Sequence, residues 1–192
     1  MNPTTVPTAI DDSLAHAPAT ARAGRRAALT IEVATGVGRG PTHIAAFDGA
    51  LREAGVHNYN LLRLSSVVPP GSDIQVLGGP AKPNGDWGDR LYVVMASQQA
   101  TLVGEEAWAG IGWVQQEGTR KGLFVEHEGP SEAYVRGAMA ASMQSLVEGR
   151  DDEVFGEMRS VVRGAVCEGE ATCALVVAVF EARSWGPVIT LN

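Results

Sequence analysis

The chain has 192 residues, a formal net charge of −7, a sequence pI near 5.1 and 45% apolar residues. That length supports one substantial domain with its own core, and the apolar fraction excludes a disordered chain. The negative charge argues against nucleic acid or an anionic membrane as partner, no apolar run approaches a membrane span, and two cysteines, Cys167 and Cys173, form neither a metal-ligand cluster nor a disulfide framework, so they read as free thiols of a cytoplasmic protein without a metal site.

Residues 1–26 are rich in Ala, Thr and Pro and lack apolar periodicity, which predicts a mobile tail ahead of a single domain over residues 27–192. Arg25-Arg26 resembles a twin-arginine export signal, but Thr30, Glu32 and Thr35 follow in a strand pattern instead of an apolar signal core. Residues 28–34 alternate, with Leu29, Ile31 and Val33 on one face, and predict a strand. The glycine-rich residues 36–41 predict a loop. They lack the Lys-Ser/Thr ending of a phosphate-binding loop. Thr42 is placed as a helix N-cap and Gly55 as the helix stop, with Ile44, Phe47 and Leu51 as the apolar stripe. Asp48 borders that stripe, either paired with Arg52 one turn on or turned as a carboxylate into a pocket.

Residues 58–68 predict one strand, stopped by Pro69 and Pro70, which lack the N–H a ladder requires. It carries Asn60 near its start and the pair Ser65-Ser66 at its end. After Pro70 the chain reads as irregular, with turn clusters at residues 78–80 and 83–88. Residues 91–96 and 107–114 predict strands, the second with Trp108 and Trp113 as core or subunit-interface anchors. Residues 122–128 predict a buried strand that turns polar. Glu126 and Glu128 point the same way and His127 points the other, a pattern in which two carboxylates can share a proton. Pro130 opens a second helix, with Val135, Met139, Met143 and Leu146 on one face up to about Gly149. Residues 154–166 and 172–182 predict two strands, joined as an antiparallel hairpin at Glu168-Gly169-Glu170. Strands that outnumber two amphipathic helices give an α+β layered domain.

Five motifs in order carry a resemblance: Ala46-Phe47-Asp48-Gly49-Ala50-Leu51, Ala54-Gly55, Asn58-Tyr59-Asn60, Ser65-Ser66 before Pro69-Pro70, and Gly122-Leu123-Phe124-Val125-Glu126-His127-Glu128-Gly129. From about Leu29 to Trp185 the chain resembles the pyruvoyl-dependent arginine decarboxylases. The resemblance implies an αββα-type β-sandwich flanked by helices and assembled as a trimer. It implies self-cleavage between Ser65 and Ser66, giving a β chain (1–65) and an α chain (66–192), with Ser66 becoming a covalent pyruvoyl group. By the same resemblance Ser66, Glu126 and Asn60 are catalytic, Glu126 protonates the substrate carbon, and Asp48 holds the basic end of L-arginine, which leaves as agmatine and CO2. No metal or diffusible cofactor is implied. Residue chemistry agrees, because a serine hydroxyl can attack the preceding carbonyl, and elimination and hydrolysis then leave a ketone where serine stood. Two alternatives stay open. Arg39, in the loop before the Asp48 helix, would favour an acidic amino acid such as aspartate, and an unprocessed chain would be a binding or structural homologue.

Overall fold

The structure, a computed structural model, describes residues 28–186, so the tail expected over residues 1–26 lies outside the described residues. Eleven elements follow in order: β1 (Thr30–Gly40), α1 (His43–Ala54), β2 (Asn60–Arg63), β3 (Val67–Val68), β4 (Asp73–Val76), β5 (Arg90–Ala100), β6 (Glu106–Gln115), β7 (Gly122–Gly129), α2 (Glu132–Glu148), β8 (Arg159–Val166) and β9 (Ala171–Arg183). They build two sheets, a five-stranded one in the order β2-β5-β9-β1-β4 and a four-stranded one in the order β3-β7-β6-β8.

The layers are α1, five-stranded sheet, four-stranded sheet, α2, as the αββα expectation has it. Strand β9 shows why. Cys173, Leu175, Val177 and Val179 join the core beneath α1, while Val176 and Ala178 join the core between the sheets. A strand covered on both faces reads as a continuous apolar run and not as an alternation. Between the sheets Ile31, Val33, Val94, Ile111, Trp113 and Phe124 fill the centre. The third core lies under α2, where Val135, Met139 and Met143 meet Val114, Leu123 and Val125.

Four sequence expectations change. The glycine loop at residues 36–41 is instead the second half of β1, paired with β9 down to Gly40↔Ala171. Its glycines face α1 at such close range that a Cβ on Gly36 would lie 2.0 Å from the Ala50 carbonyl oxygen, and one on Gly38 2.0 Å from that of Ala46. Glycine here serves close approach, not flexibility. Accordingly the buried face of α1 is Ala46, Ala50, Leu51 and Ala54, and Ile44 is exposed. The caps at Thr42 and Gly55 form as expected, with Thr42 Oγ1 accepting from the Ala45 N–H at 3.1 Å and Gly55 in the left-handed region at φ 82°. Second, the strand expected over residues 58–68 is two strands in different sheets: β2 runs parallel to β5, and β3 runs antiparallel to β7. Third, the irregular stretch after Pro70 holds β4, parallel to β1. Fourth, β8 and β9 are no hairpin. The turn between them passes from the four-stranded to the five-stranded sheet. In α2 the cap is Ser131, with Pro130 ahead of it, and Leu146 is exposed.

Candidate active site

The break between β2 and β3 makes the site. Leu64 is still tied to the five-stranded sheet, its N–H donating to the Val93 carbonyl at 2.9 Å. Two residues later Ser66 belongs to the other sheet, its carbonyl accepting from the Phe124 N–H at 2.8 Å. The Ser65–Ser66 peptide therefore spans the gap between two separately anchored strands. Ser66 takes up the change of direction with φ 67°, a left-handed conformation that costs a non-glycine residue about 1–2 kcal/mol. Its hydroxyl donates to the carboxylate of Glu126 on β7, with both carboxylate oxygens 2.8 Å from Oγ. Glu126 is half-buried and Glu128 exposed, so only the first acid of the pair reaches the serine.

β3 pairs with β7 only at Val67↔Leu123 and Val68↔Gly122, so β7 has no strand neighbour on that side beyond the Phe124–Ser66 bond. A cleft of about 390 Å³ lies there, lined by Ser66, Glu126, His127, Ser142 and Ser145 among others. His127 Nε2 and Ser142 Oγ lie 2.8 Å apart. On the sequence alone His127 reads as a structural residue facing away from both acids. The usable signal is alternation on β7, which turns His127 towards α2, where Ser142 sits beside the buried stripe of Met139 and Met143. A larger cavity of about 620 Å³ lies near Leu64, Pro69 and Phe180. It contains neither Ser66 nor Glu126, and its charged residues Glu181 and Arg183 pair with each other at 2.8 Å. The bonded Ser66–Glu126 pair lines the smaller cleft.

The chain brings Ser66 and Glu126 together but does not bring Asn60 or Asp48 to them. Asn60 opens β2, and its side-chain amide donates to the Gly88 carbonyl at 2.6 Å. Asp48 lies on α1, the layer outside the five-stranded sheet, bonded to Arg52 at 2.5 Å. Arg39 pairs with Glu168 at 3.7 Å, and His43 with the side chain of Gln99. Trp113 is buried between the sheets, and Trp108 packs on the core under α2. Cys167 and Cys173 are free and buried, and burial pushes the Cys173 thiol up to about 11. Among the described residues no group of three or more His, Cys, Asp or Glu side chains could hold a metal, and no helix is long and apolar enough to cross a membrane.

The family model described as pyruvoyl-dependent arginine decarboxylase matches residues 30–184, most of the chain. This chain belongs to that family. A pyruvoyl-dependent arginine decarboxylase of Halobacterium salinarum is 43% identical over 96 residues, which are 50% of this chain and 58% of that protein. The Methanocaldococcus jannaschii protein of the same name is 36% identical over 101 residues, 52% of this chain and 58% of its own length. The match to pyruvoyl-dependent arginine decarboxylase 2 of Archaeoglobus fulgidus is more distant but longer, 28% identical over 151 residues and 92% of that protein. The chain thus spans little more than half the length of the first two relatives. A solved structure of pyruvoyl-dependent histidine decarboxylase at pH 8 aligns with 57% of this chain at 16% identity and a TM-score of 0.41.

Proposed function

We propose that this chain is a self-processing decarboxylase that converts L-arginine to agmatine and CO2, using a pyruvoyl group made from Ser66. The observation that carries the reading is the Ser66 hydroxyl on the Glu126 carboxylate, at a left-handed residue that joins two sheets. The residues fit the group. Glu126 accepts the hydroxyl proton as Ser66 Oγ attacks the Ser65 carbonyl carbon; the C–N bond breaks, a C–O ester bond forms, and the freed nitrogen takes up a proton. Loss of the residue 66 Cα proton then breaks the Cβ–O bond and releases the Ser65 carboxylate, and water replaces the nitrogen, which leaves as ammonia. The pyruvoyl group supplies an electron sink for the bond electrons left when CO2 departs. Glu126, still beside residue 66, delivers a proton to the substrate α-carbon.

Asp48 is the proposed seat of the guanidinium, whose two parallel N–H donors match a carboxylate, and it must exchange Arg52 for the substrate. Asn60 likewise has to leave the Gly88 carbonyl before its amide can serve the site. Because Asp48 lies on the α1 layer and Glu126 in the other sheet, the two act on one substrate when neighbouring copies meet, which supports a homo-oligomer of cleaved protomers, for which the family resemblance implies a trimer. Arg39 lies 3.7 Å from Glu168 in an exposed pair, which only weakly offsets its attraction for an acidic substrate. Two free buried thiols support a cytoplasmic setting.

Intact-mass spectrometry under denaturing conditions tests the reading. The expected result is two fragments, one ending at Ser65 and one beginning with a pyruvoyl-blocked residue 66, with a single idle chain for Ser66→Ala. CO2 release from arginine and none from aspartate would complete it. An uncleaved wild-type chain, or an active Ser66→Ala protein, would overturn it.

A further inference from the structure

We infer that Arg52 is an internal occupant of the guanidinium seat and thereby sets how strongly the site takes arginine. The inference rests on the decarboxylase reading, in which Asp48 holds the basic end of the substrate, and adds the residue that competes for it. Arg52 carries the same end group as arginine. Its Nη2 lies 2.5 Å from Asp48 Oδ2, and among the described residues each is the other's ion-pair partner. A substrate guanidinium that takes both carboxylate oxygens through two parallel N–H donors needs Oδ2, the atom that Arg52 holds. Substrate and Arg52 therefore exclude each other.

The pair is placed so that it can give way. It lies on the helix surface, with the Arg52 side chain 66% and the Asp48 side chain 47% exposed, so water screens it. An exposed pair four residues apart favours the closed form by about twofold. The seat is then free in roughly a third of the molecules, which raises the apparent dissociation constant about threefold. Released Arg52 keeps a favourable place, because it stands in the last turn of α1, where a cation complements the helix C-terminus. Its charge stays beside the bound guanidinium, and that repulsion adds to the weakening. Arginine and agmatine both carry the guanidinium, so both are weakened alike. Neither effect changes as the C–C bond breaks, so KM shifts and kcat does not.

Arg52→Ala and Arg52→Gln test this, and intact mass should first show both cleaved as the wild type is. Calorimetry on the cleaved protein should find agmatine bound about three- to tenfold more tightly, with the KM for arginine lowered by the same factor and kcat unchanged. Loss of a merely structural ion pair does not tighten binding. Arg136→Ala is the control: it breaks an exposed pair of the same spacing on α2, with Glu132 at 2.7 Å, and should leave both values where they were. In an Asp48→Asn chain the gain from Arg52→Ala should shrink, since only the charge repulsion is left to relieve. Agmatine affinity unchanged or weakened in Arg52→Ala overturns the inference, as does a gain undiminished by Asp48→Asn; an active wild-type protein would leave the decarboxylase reading standing in either case. A cleaved wild-type chain that ignores arginine sinks that reading itself, and this inference with it.

Discussion

The chain passes between its two sheets four times, and two of these passages, β2 to β3 and β8 to β9, are handled differently. Between β8 and β9 the left-handed residue is Gly169, at φ 130°, and the surrounding groups are satisfied: the Cys167 N–H donates to the Glu105 carbonyl at 2.8 Å, and Thr172 Oγ1 donates to the Glu170 carbonyl at 3.1 Å. Between β2 and β3 the left-handed residue is Ser66, and its side chain is turned onto an acid. Glycine takes up such a conformation at no steric cost, whereas serine stores it. The same topological task is therefore done once for shape alone and once with strain placed at a residue whose hydroxyl is bonded to a carboxylate. The second arrangement is the one that can drive chemistry.

Glu126→Gln tests that contrast with the largest effect. Gln keeps the shape but cannot take the hydroxyl proton or return one to the α-carbon. Self-cleavage, followed as the disappearance of intact chain, and CO2 release from the cleaved fraction should each fall by about 10²–10⁴-fold, the usual weight of general acid–base catalysis. Gly169→Ala, at the other crossing, should leave cleavage complete. Cleavage lost in both variants would show that folding alone, and not the Ser66–Glu126 contact, governs processing.

The contrast also explains what the sequence could and could not reveal. Candidate residues were legible because they sit in short motifs: Ser65-Ser66 before two prolines, and Glu126 in its strand. The layering was legible too, since Val135, Met139 and Met143 at helical spacing require a sheet to cover. The crossings were not. Leu62, Leu64 and Val67 continue one apolar pattern, and nothing in side-chain period says that backbone bonds change sheet at residue 65. The turn at residues 168–170 has a hairpin's length, but length does not tell a hairpin from a passage between layers. Gly36, Gly38 and Gly40 misled for another reason. Their period of two, set against Ala46 and Ala50 one turn apart, describes a strand beneath a closely packed helix, a long-range fit invisible to a local reading of glycine as loop.

A smaller effect separates the two backbones directly. Ser66→Ala and Ser66→Gly chains both lack the hydroxyl, so no cleavage intervenes in either. The Ser66→Gly chain should be more stable to urea than the Ser66→Ala chain by about 1 kcal/mol, because glycine relieves the left-handed strain. Adding Gly169→Ala to the Ser66→Ala chain should lower its stability by about 1–2 kcal/mol, since alanine acquires the strain that glycine avoided. Substitutions at the two crossings would thus move stability in opposite directions. Equal and same-signed shifts would mean that residue 66 carries no stored strain.

Arg120 is the other non-glycine residue with positive φ among the described residues, at 57°, and it sharpens the comparison by serving structure alone. Its guanidinium pairs with Asp73 on β4, linking the five-stranded sheet to the β6–β7 turn. Bonds from Gln75 and then Arg120 hold the Asp73 carboxyl below its usual range. A depressed folded-state value means that the contribution is complete above the unfolded value near 4, and is lost as pH falls through the folded one. Asp73 is solvent-exposed, so the effect is small and screened by salt. Asp73→Asn should therefore lower the melting temperature slightly at pH 7, and the gap from the parent chain should close progressively below pH 4. A gap that persists unchanged at pH 2 would assign the loss to packing instead of the charge, and would leave Arg120 with no electrostatic reason for its backbone.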